Sequence, residues 1–311
     1  MKLLRILFSL TLAGVAIVSV LPHILPDFWL TDIFSHFKLQ YVIILMFFLL
    51  PVTLYPAKKK IFPMVLILIL VIWNSWFIVP LYVQDKEVME NPGKSLSILS
   101  MNLLASNTNY SEALDLIRAR EPDIVVILEL SPQWEEHLQE LYPEFPFRTM
   151  LPQTNNFGIG ILSKIPMISE VTGLGKGFPA SITGEMQVNG SLVTILATHP
   201  FPPVGRDRFE LRNEQLKEIA ELSKAETGNF ILAGDLNTSS YSRHFQNLLE
   251  NGNLTDTRKG FGINSTWPSD LLFMRTTLDH ILFKGEMRVL TRTTERSIGS
   301  DHLPVYLEIA L

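Results

Sequence analysis

The chain has 311 residues and a net charge of −5, and its hydrophobic fraction of 47% is high for a soluble protein and modest for a purely membrane one. Residues 1–83 carry a net +4 (6 basic, 2 acidic) and residues 84–311 a net −9 (20 basic, 29 acidic). The acidic part argues against a long nucleic-acid track, and the absence of cysteine excludes disulfides, thiolate metal sites and a cysteine nucleophile.

Three apolar runs fill the first part of the chain, at 3–22, 39–55 and 61–83. Each approaches the ~20 residues that a helix needs to cross ~30 Å of hydrocarbon. The first run could also be a signal peptide, but two further runs follow it and no small-residue cleavage pattern is obvious. The sequence therefore predicts a membrane anchor of about three transmembrane helices over residues 1–83.

The placement of Lys and Arg predicts how this anchor is oriented. Lys2 and Arg5 flank the first run and residues 58–60 are all lysine, whereas the loop 22–38 carries one lysine and two aspartates. With the N-terminus and the lysine turn in the cytoplasm, three spans place the C-terminal part outside. We predict a multi-pass protein of the bacterial cytoplasmic (inner) membrane with an extracytoplasmic domain.

A polar linker at 84–95 leads into a domain that we expect to cover 96–311. Alternating apolar residues predict a first strand that ends at Asn102. The next apolar run, 124–128, predicts a buried strand that delivers Glu129 at its end. Both strands thus end in a side chain that can bind a cation or donate a hydrogen bond.

Two helices and a series of further strands follow from the same patterns. One helix is expected over 110–120, with Asn109 and Glu112 as a possible capping box, and another over 208–225. Strands are predicted at 157–163, 181–188, 191–197, 230–233, 278–284 and 303–310. Strands outnumber helices, which predicts an α/β domain.

Polar side chains collect at the strand ends. Asp235 and Asn237 follow an apolar strand that stops at Gly234, and positions two apart lie on the same side of a strand end. Other ends supply Asn102, Glu129, His199, Asp279, Asp301 and His302. Singly, each has an ordinary interpretation as a turn residue, a helix cap or a core histidine. Together they offer hard oxygen ligands and imidazoles, and oxygen ligation favours Mg²⁺ or Mn²⁺ over Zn²⁺.

These motifs, in this order, resemble the endonuclease/exonuclease/phosphatase superfamily. The motifs are Met-Asn102, Ile-Leu-Glu129-Leu, Gly-Ile-Gly-Ile-Leu-Ser163, Thr-His199-Pro, Gly-Asp235-Leu-Asn237, Leu-Asp279-His-Ile and Ser-Asp301-His302-x-Pro. The resemblance covers about residues 95–311 and implies a DNase I-like, four-layer α/β sandwich of two mixed β-sheets. The anchor further resembles a bacterial membrane-bound subgroup, which implies a lipid-linked phosphate as substrate.

The resemblance also implies which residues hold the metal and the water. Glu129 would be the main Mg²⁺ ligand, helped by Asn102 and Asp301. Asp235 would orient or deprotonate the attacking water, and Asn237 would hold a phosphate oxygen.

The remaining implied roles fall to imidazoles. Asp279 would fix the tautomer of His302, whose imidazolium binds the phosphoryl group, and His199 would assist the leaving group. Phosphoester hydrolysis needs these functions, because charge on the phosphate must be neutralised and the departing oxygen must be helped. A serine hydrolase is disfavoured, since the sequence has no Gly-x-Ser-x-Gly motif.

The roles of three arginines and one histidine are less directly indicated by the sequence. Arg206 and Arg212 either contact the phosphate of the substrate or belong to the solvated start of a helix, whereas Arg208 is expected on the helix. His280 neighbours Asp279 on a strand, so its side chain should face the other way and be structural.

The function predicted from the sequence is a Mg²⁺-dependent phosphoesterase at the outer face of the membrane. An anchored domain meets a lipid-linked phosphate or diphosphate at a raised effective concentration. The alternatives are a membrane-tethered extracytoplasmic nuclease and a catalytically silent receptor or scaffold, which would have lost part of the metal and histidine set. No obligate protein partner is evident from the sequence.

Overall fold

The computed structural model describes residues 2–53, 56–83 and 95–311. The predicted linker therefore lies outside the described residues, apart from Ser95. The N-terminal part is helical, and its elements are α1 (Lys2–Ile24), α2 (Trp29–Ser35), α3 (Lys38–Thr53), α4 (Ala57–Ser75) and a 3₁₀ helix (Val79–Tyr82).

The prediction of three transmembrane helices needs correction. In the described ranges, one helix is long and apolar enough to cross a membrane, namely α1 through Ile6–Ile24; a second exists only if α2 and α3, bent by 65°, form one span. The 16 residues of α3 alone reach roughly 24 Å, less than the ~30 Å of a hydrocarbon core. Helix α4 contains the three lysines at 58–60 and ends at Ser75 rather than at residue 83.

The N-terminal helices pack together around a small apolar core. Leu12, Leu45 and Ile67 are buried in it, one from each of the three longer helices. Lys38 is buried beside this core and donates a hydrogen bond from Nζ to the main-chain oxygen of Ser19 at 2.7 Å. The helices therefore form one unit, held by apolar contact and by a buried polar link.

Residues 95–311 form twelve strands, four α-helices and two short 3₁₀ helices (Gln139–Leu141 and Leu272–Met274). The strands are β1 (Ser95–Asn102), β2 (Ile124–Leu128), β3 (Phe147–Leu151), β4 (Ile159–Ser163), β5 (Met167–Thr172), β6 (Ser181–Val188), β7 (Ser191–Ala197), β8 (Asn229–Asp235), β9 (Thr255–Asp256), β10 (Asp279–Lys284), β11 (Arg288–Thr294) and β12 (Val305–Ala310). The helices are α5 (Tyr110–Arg120), α6 (Pro132–Leu138), α7 (Arg206–Ala225) and α8 (Arg243–Gly252).

The strands make two mixed six-stranded sheets. The first has the order β11-β12-β1-β2-β4-β3 and the second β5-β6-β7-β8-β10-β9. The pairs β1–β2 and β7–β8 are parallel, and the other neighbouring pairs are antiparallel. The expectation of two mixed sheets in a DNase I-like α/β fold is confirmed.

Three apolar cores hold the layers of the domain together. Side chains such as Ile98, Ile161 and Ile231 fill the space between the two sheets. Helices α5 and α6 cover the outer face of the first sheet, and α7 and α8 cover that of the second. The inner strands β2, β4 and β8 are therefore buried on both faces and read as continuous apolar runs over most of their length.

Within residues 95–311 the predicted strands and helices lie within two residues of observed ones, but the predicted capping box does not form. Helix α5 begins at the predicted residue, but Asn109 makes no side-chain cap hydrogen bond. Its expected partner Glu112 instead contacts Arg296. The capping box is therefore absent, because the glutamate is used in a contact with a distant loop.

The N-terminal helices rest on the domain through main-chain and side-chain contacts. The amides of Gly260 and Gly262 both donate to the main-chain oxygen of Leu81, at 2.9 and 2.8 Å. Gln40 donates from Nε2 to the main-chain oxygen of Arg275 at 3.0 Å. The helices are thus packed against the sandwich rather than held by the chain alone.

Candidate active site

Strand pairing brings polar side chains to one end of the sandwich. Strands β1 and β2 are parallel, and Asn102 pairs with Leu128, so that Glu129 follows at the same edge. Strands β8 and β10 are antiparallel, with Asp235 opposite Asp279, so the end of one strand meets the start of the other. Every strand end involved therefore points to a single region.

Glu129 is held at this end in a left-handed backbone conformation, with φ at 54°. Its Oε1 accepts a hydrogen bond from Nδ2 of Asn102 and its Oε2 one from the amide of Ala105, both at 3.2 Å. Burial raises the pKa of Glu129, and the charge of His199 offsets this only in part. A bound cation would reverse that shift, because it favours the ionised carboxylate.

Asp235 lies between the two sheets and contacts groups from both. Its Oδ2 is 3.3 Å from Nδ2 of Asn102, 3.4 Å from Nε2 of His199 and 3.7 Å from Nε2 of His302. Its Oδ1 accepts a hydrogen bond from the amide of Asn237 at 2.9 Å. Burial alone would raise the pKa of Asp235, but the charge of His302 and the hydrogen bond from His199 lower it to about 2.

The two histidines beside Asp235 are both stabilised as cations. Nδ1 of His302 donates to Oδ2 of Asp279 at 2.8 Å. Burial opposes its protonation, but the charges of Asp279 and Asp235 outweigh burial and raise the pKa of His302 to about 10. Burial likewise opposes protonation of His199, and the hydrogen bond and charge of Asp235 raise its pKa above the usual value.

Two sets of side chains offer ligands for a metal ion. Ligand atoms of Asp235, Asp279 and His302 lie within 4.8 Å of one another and could hold one. His302, however, is held protonated by Asp279, and a protonated imidazole does not bind metal. Among the described residues, Glu129 has no carboxylate hydrogen-bonded to it that would hold a proton on it, and the buried Oδ1 of Asp301 has no hydrogen-bond partner.

Asn102, the third expected ligand, is oriented with its amide nitrogen toward the carboxylates. Its Oδ1 accepts from the amide of Leu104 at 3.0 Å, while its Nδ2 faces Glu129 and Asp235. Its oxygen would bind a cation beside Glu129 only after the amide turned over. The donor set is therefore one of hard oxygen atoms, which fits Mg²⁺ or Mn²⁺.

These side chains line a cavity of about 520 Å³, which we call the substrate cavity. Its polar lining includes Glu129, His199, Asp235, Asn237, Asp301 and His302. Its apolar lining consists of Ile33, Phe157, Pro202, Pro203, Val204 and Leu278. A polar cluster beside an apolar surface suits a ligand that has one charged and one apolar part.

The structure corrects the expected places of the arginines. Arg212 is fully buried and forms an ion pair with Asp32, at 2.7 Å between Nη2 and Oδ2, so it cannot contact a substrate. Arg206 is exposed and pairs with Glu210 one turn along α7. The arginine that lines the substrate cavity is Arg208, which the sequence predicted only as a helix residue.

Three further cavity residues were not predicted from the sequence. Trp267 donates from Nε1 to Oδ2 of Asp301 at 3.1 Å, and its indole is thereby fixed in the cavity wall. Ile33 and His36 come from the N-terminal helices. An isolated Trp between polar residues was an available signal for the first, whereas no local pattern marks the other two.

His280 has the structural role that strand alternation predicts. Its Nε2 lies 2.9 Å from the main-chain oxygen of Thr238, and its ring lies 4.5 Å from that of Phe245, which belongs to the outer core of the second sheet. The imidazole therefore faces away from the substrate cavity.

A glycine lets two catalytic segments approach each other. A Cβ on Gly234 would lie 1.9 Å from the main-chain oxygen of Thr198, the residue before His199. Gly234→Ala should therefore push the segment of His199 away from Asp235, lowering both the unfolding temperature and the activity, at a cost of about 1–3 kcal/mol. Thermal unfolding checks this, with Gly173→Ala as control, since nothing lies within 4 Å of a Cβ there. Equal unfolding temperatures for the two variants would contradict the expectation.

Comparison with known proteins gives a family match. The model of the Endonuclease/Exonuclease/phosphatase family matches residues 73–302. That range contains Glu129, His199, Asp235, Asn237, Asp301 and His302 of the substrate cavity, but not Ile33 and His36. A comparison with curated proteins found no match.

Solved structures are similar over about two thirds of the chain or more. D. rerio TDP2 complexed with a single-strand DNA product is 16% identical, with a TM-score of 0.57 over 70% of this chain and 99% of that one. An endonuclease/exonuclease/phosphatase from Beutenbergia cavernae DSM 12333 is 19% identical, with a TM-score of 0.55 over 70% and 72%. Sphingomyelinase C from Streptomyces griseocarneus is 19% identical, with a TM-score of 0.51 over 70% and 99%. At these identities the likeness shows a common fold.

Proposed function

The chain belongs to the endonuclease/exonuclease/phosphatase family, and from that premise we propose that it is a Mg²⁺- or Mn²⁺-dependent phosphoesterase. It acts on a phosphate ester or diphosphate carried by a lipid, at the outer face of the bacterial cytoplasmic membrane. The observation that carries the proposal is that Glu129, Asp235 and His302 share one cavity with the apolar side chains of Ile33 and Val204.

In this proposal the metal ion is held by Glu129, with Asp301 and Asn102 beside it. When bound, the ion neutralises charge on the phosphate oxygens. The chain contributes the imidazolium of His302, which is fixed by Asp279 and remains charged at neutral pH. That positive charge is in place before the substrate arrives, so it stabilises the transition state without reorganisation.

The roles of the attacking and leaving groups fall to the residues around Asp235. A carboxylate whose pKa is about 2 is a weak base, so Asp235 aligns the water and balances both imidazoliums rather than carrying a proton. His199 is protonated more readily than an ordinary histidine and donates a proton to the departing oxygen. Asn237 uses one amide hydrogen for the main-chain oxygen of Pro200, at 2.9 Å, and offers the second to a phosphate oxygen.

The lipid part of the proposal is supported by the apolar half of the cavity and by the apolar helix α1. A tethered enzyme gains in effective concentration only toward a substrate that shares its surface. The net charge of −9 over residues 84–311 also disfavours nucleic acid, whose binding requires clustered basic side chains.

A membrane-tethered nuclease is the second candidate, because one similar structure holds a single-strand DNA product. A sphingomyelinase, named for a lipid substrate, has the same fold. The fold is therefore compatible with a nucleic-acid substrate and with a lipid substrate. A catalytically silent receptor is disfavoured, since the metal and histidine residues are all present and lie together.

The test is phosphate release by the full-length protein in detergent with Mg²⁺, measured on an isoprenyl diphosphate and beside cleavage of single-stranded DNA in the same buffer. We expect release from the lipid, loss of that release with a chelator, and no cleavage of DNA. Cleavage of DNA alone would establish the tethered nuclease and reject the proposed function.

The ion pair between His302 and Asp279 should determine how the reaction rate varies with pH. The raised pKa keeps the imidazolium charged up to about pH 10. In Asp279→Asn the pKa of His302 should fall toward its ordinary value of 6.5, so the alkaline loss of kcat/KM should shift to lower pH. A pH–rate profile between pH 6 and 10 on a chromogenic phosphoester measures this. An alkaline limb that does not move would show that His302 is not the required cation.

A further inference from the structure

The turn between α1 and α3 reaches the substrate cavity. Helix α2 occupies most of it, and we call residues 29–36 the wall segment. Ile33 and His36 of the wall segment line the same cavity as Asp235 and His302. If the N-terminal helices only tethered the domain, nothing would require the connection between them to line its cavity.

A buried ion pair fixes the wall segment to the domain. Oδ2 of Asp32 lies 2.7 Å from Nη2 of Arg212, and its Oδ1 accepts a hydrogen bond from Oγ of Ser242 at 2.5 Å. The side chains of the ion pair are almost wholly buried, at 2% and 0% exposed. Arg212 also donates from Nη1 to the main-chain oxygen of Asn237 at 2.9 Å. One guanidinium therefore joins the wall segment to the loop that carries an active-site amide.

His36 is attached on the other side of the cavity. Its main-chain oxygen accepts a hydrogen bond from Oγ1 of Thr276 at 2.9 Å, and Thr276 exchanges main-chain hydrogen bonds with Trp267 of the cavity wall. The side chain of His36 is 93% buried, being 7% exposed, yet its Nε2 has no hydrogen-bond partner among the described residues. A buried imidazole nitrogen without a partner lowers stability, and a ligand in the adjoining cavity that bonded it would remove that cost.

We propose that the wall segment is part of the substrate site, with Ile33 contacting the apolar group esterified to the phosphate and His36 bonding the polar atoms that join the two. This rests on the proposed function, since it assumes a substrate that has a phosphate at one end and an apolar group next to it. Asp32, Arg212 and Ser242 are positioning residues, because they hold the segment and touch no substrate.

The absence of cysteine allows a direct test in the full-length protein. Ile33→Cys gives a single thiol, and its rate of reaction with a small water-soluble thiol reagent is measured with and without a C15 isoprenyl phosphonate, whose carbon–phosphorus bond resists hydrolysis. Leu30→Cys is the matched control, because Leu30 belongs to the same helix, is 39% exposed and does not line the cavity.

We expect the phosphonate, at ten times its Kd, to slow labelling at position 33 about tenfold, because only the free fraction reacts, and to leave position 30 unchanged. Unslowed labelling at position 33, while the same phosphonate inhibits the wild-type reaction, would overturn the wall-segment proposal and leave the proposed function intact. A phosphonate that neither inhibits nor protects, together with protection by single-stranded DNA, would overturn the proposed function and the apolar contact with it.

Ile33→Ala and His36→Ala provide a second measurement if the cysteine variant does not fold. Ile33→Ala should raise the KM for a C15 diphosphate more than that for a C5 diphosphate. His36→Ala should raise both alike, because the two substrates share the polar atoms, and His36→Gln should recover part of the loss, because an amide can also bond them. An equal change for both chain lengths in Ile33→Ala would reject contact between the wall segment and the apolar group.

Discussion

Glu129→Gln is expected to lower kcat/KM by about a thousandfold, the size of effect seen when one group that stabilises transition-state charge is removed. The amide of glutamine keeps the shape of the side chain but loses the charge that binds a cation, and its NH2 group cannot accept one of the two hydrogen bonds that the carboxylate receives. Because burial already raises the pKa of this carboxyl, the native protein loses stability by keeping it ionised without a cation. Relief of the buried charge and loss of one accepted hydrogen bond oppose each other, so the unfolding free energy should change by no more than about 1 kcal/mol.

Initial rates over a Mg²⁺ titration, with thermal unfolding of the same samples, would measure both effects. Glu135→Gln is a suitable control, since this glutamate lies in the first turn of α6 and outside the substrate cavity. A variant at Glu129 that retained the native rate on every phosphoester would remove the basis of the catalytic assignment.

Asp32→Ala is expected to destabilise the protein by about 3–5 kcal/mol, because it leaves the guanidinium of Arg212 buried without its counter-charge. The unfolding temperature should fall by roughly 5–10 °C. Activity should fall as well, since Arg212 also holds the main-chain oxygen of Asn237. Thermal unfolding of the full-length protein in detergent measures the first effect and kcat/KM the second.

Asp27→Ala is the control that distinguishes loss of the ion pair between Asp32 and Arg212 from a general effect of removing a negative charge near the domain. Asp27 belongs to the same connection but its side chain is 90% exposed, 3.8 Å from Nε2 of His244. Its removal should change stability by no more than about 0.5 kcal/mol. If both aspartates gave the same small change, the pair between Asp32 and Arg212 would not hold the wall segment in place.

The polar strand ends could be predicted from the sequence because their signal is local. Asp235 and Asn237 follow a run of apolar residues directly, and the pairing of β8 with β10 then places Asp279 opposite. Arg212 could not be placed in this way. A buried arginine on an amphipathic helix is explained only by its partner, and Asp32 lies 180 positions earlier in the chain.

The elements missed by the sequence patterns lie mostly at sheet edges. Strands β3, β5 and β11 have mainly half-buried or exposed side chains, since each has a neighbour on one side only or lies next to solvent. Their apolar alternation is correspondingly weak. The count of three transmembrane helices was wrong for another reason, because apolar runs do not reveal where a helix bends or ends.

The ion pair between Asp32 and Arg212 also has a consequence for biosynthesis. At about 5–20 residues per second, a ribosome adds the intervening 180 residues in roughly 10–40 s. During that interval the carboxylate has been made and its guanidinium has not. The pair between Asp32 and Arg212 can therefore form only late in synthesis, so the wall segment cannot be fixed to the loop of Asn237 through this guanidinium before helix α7 has been made.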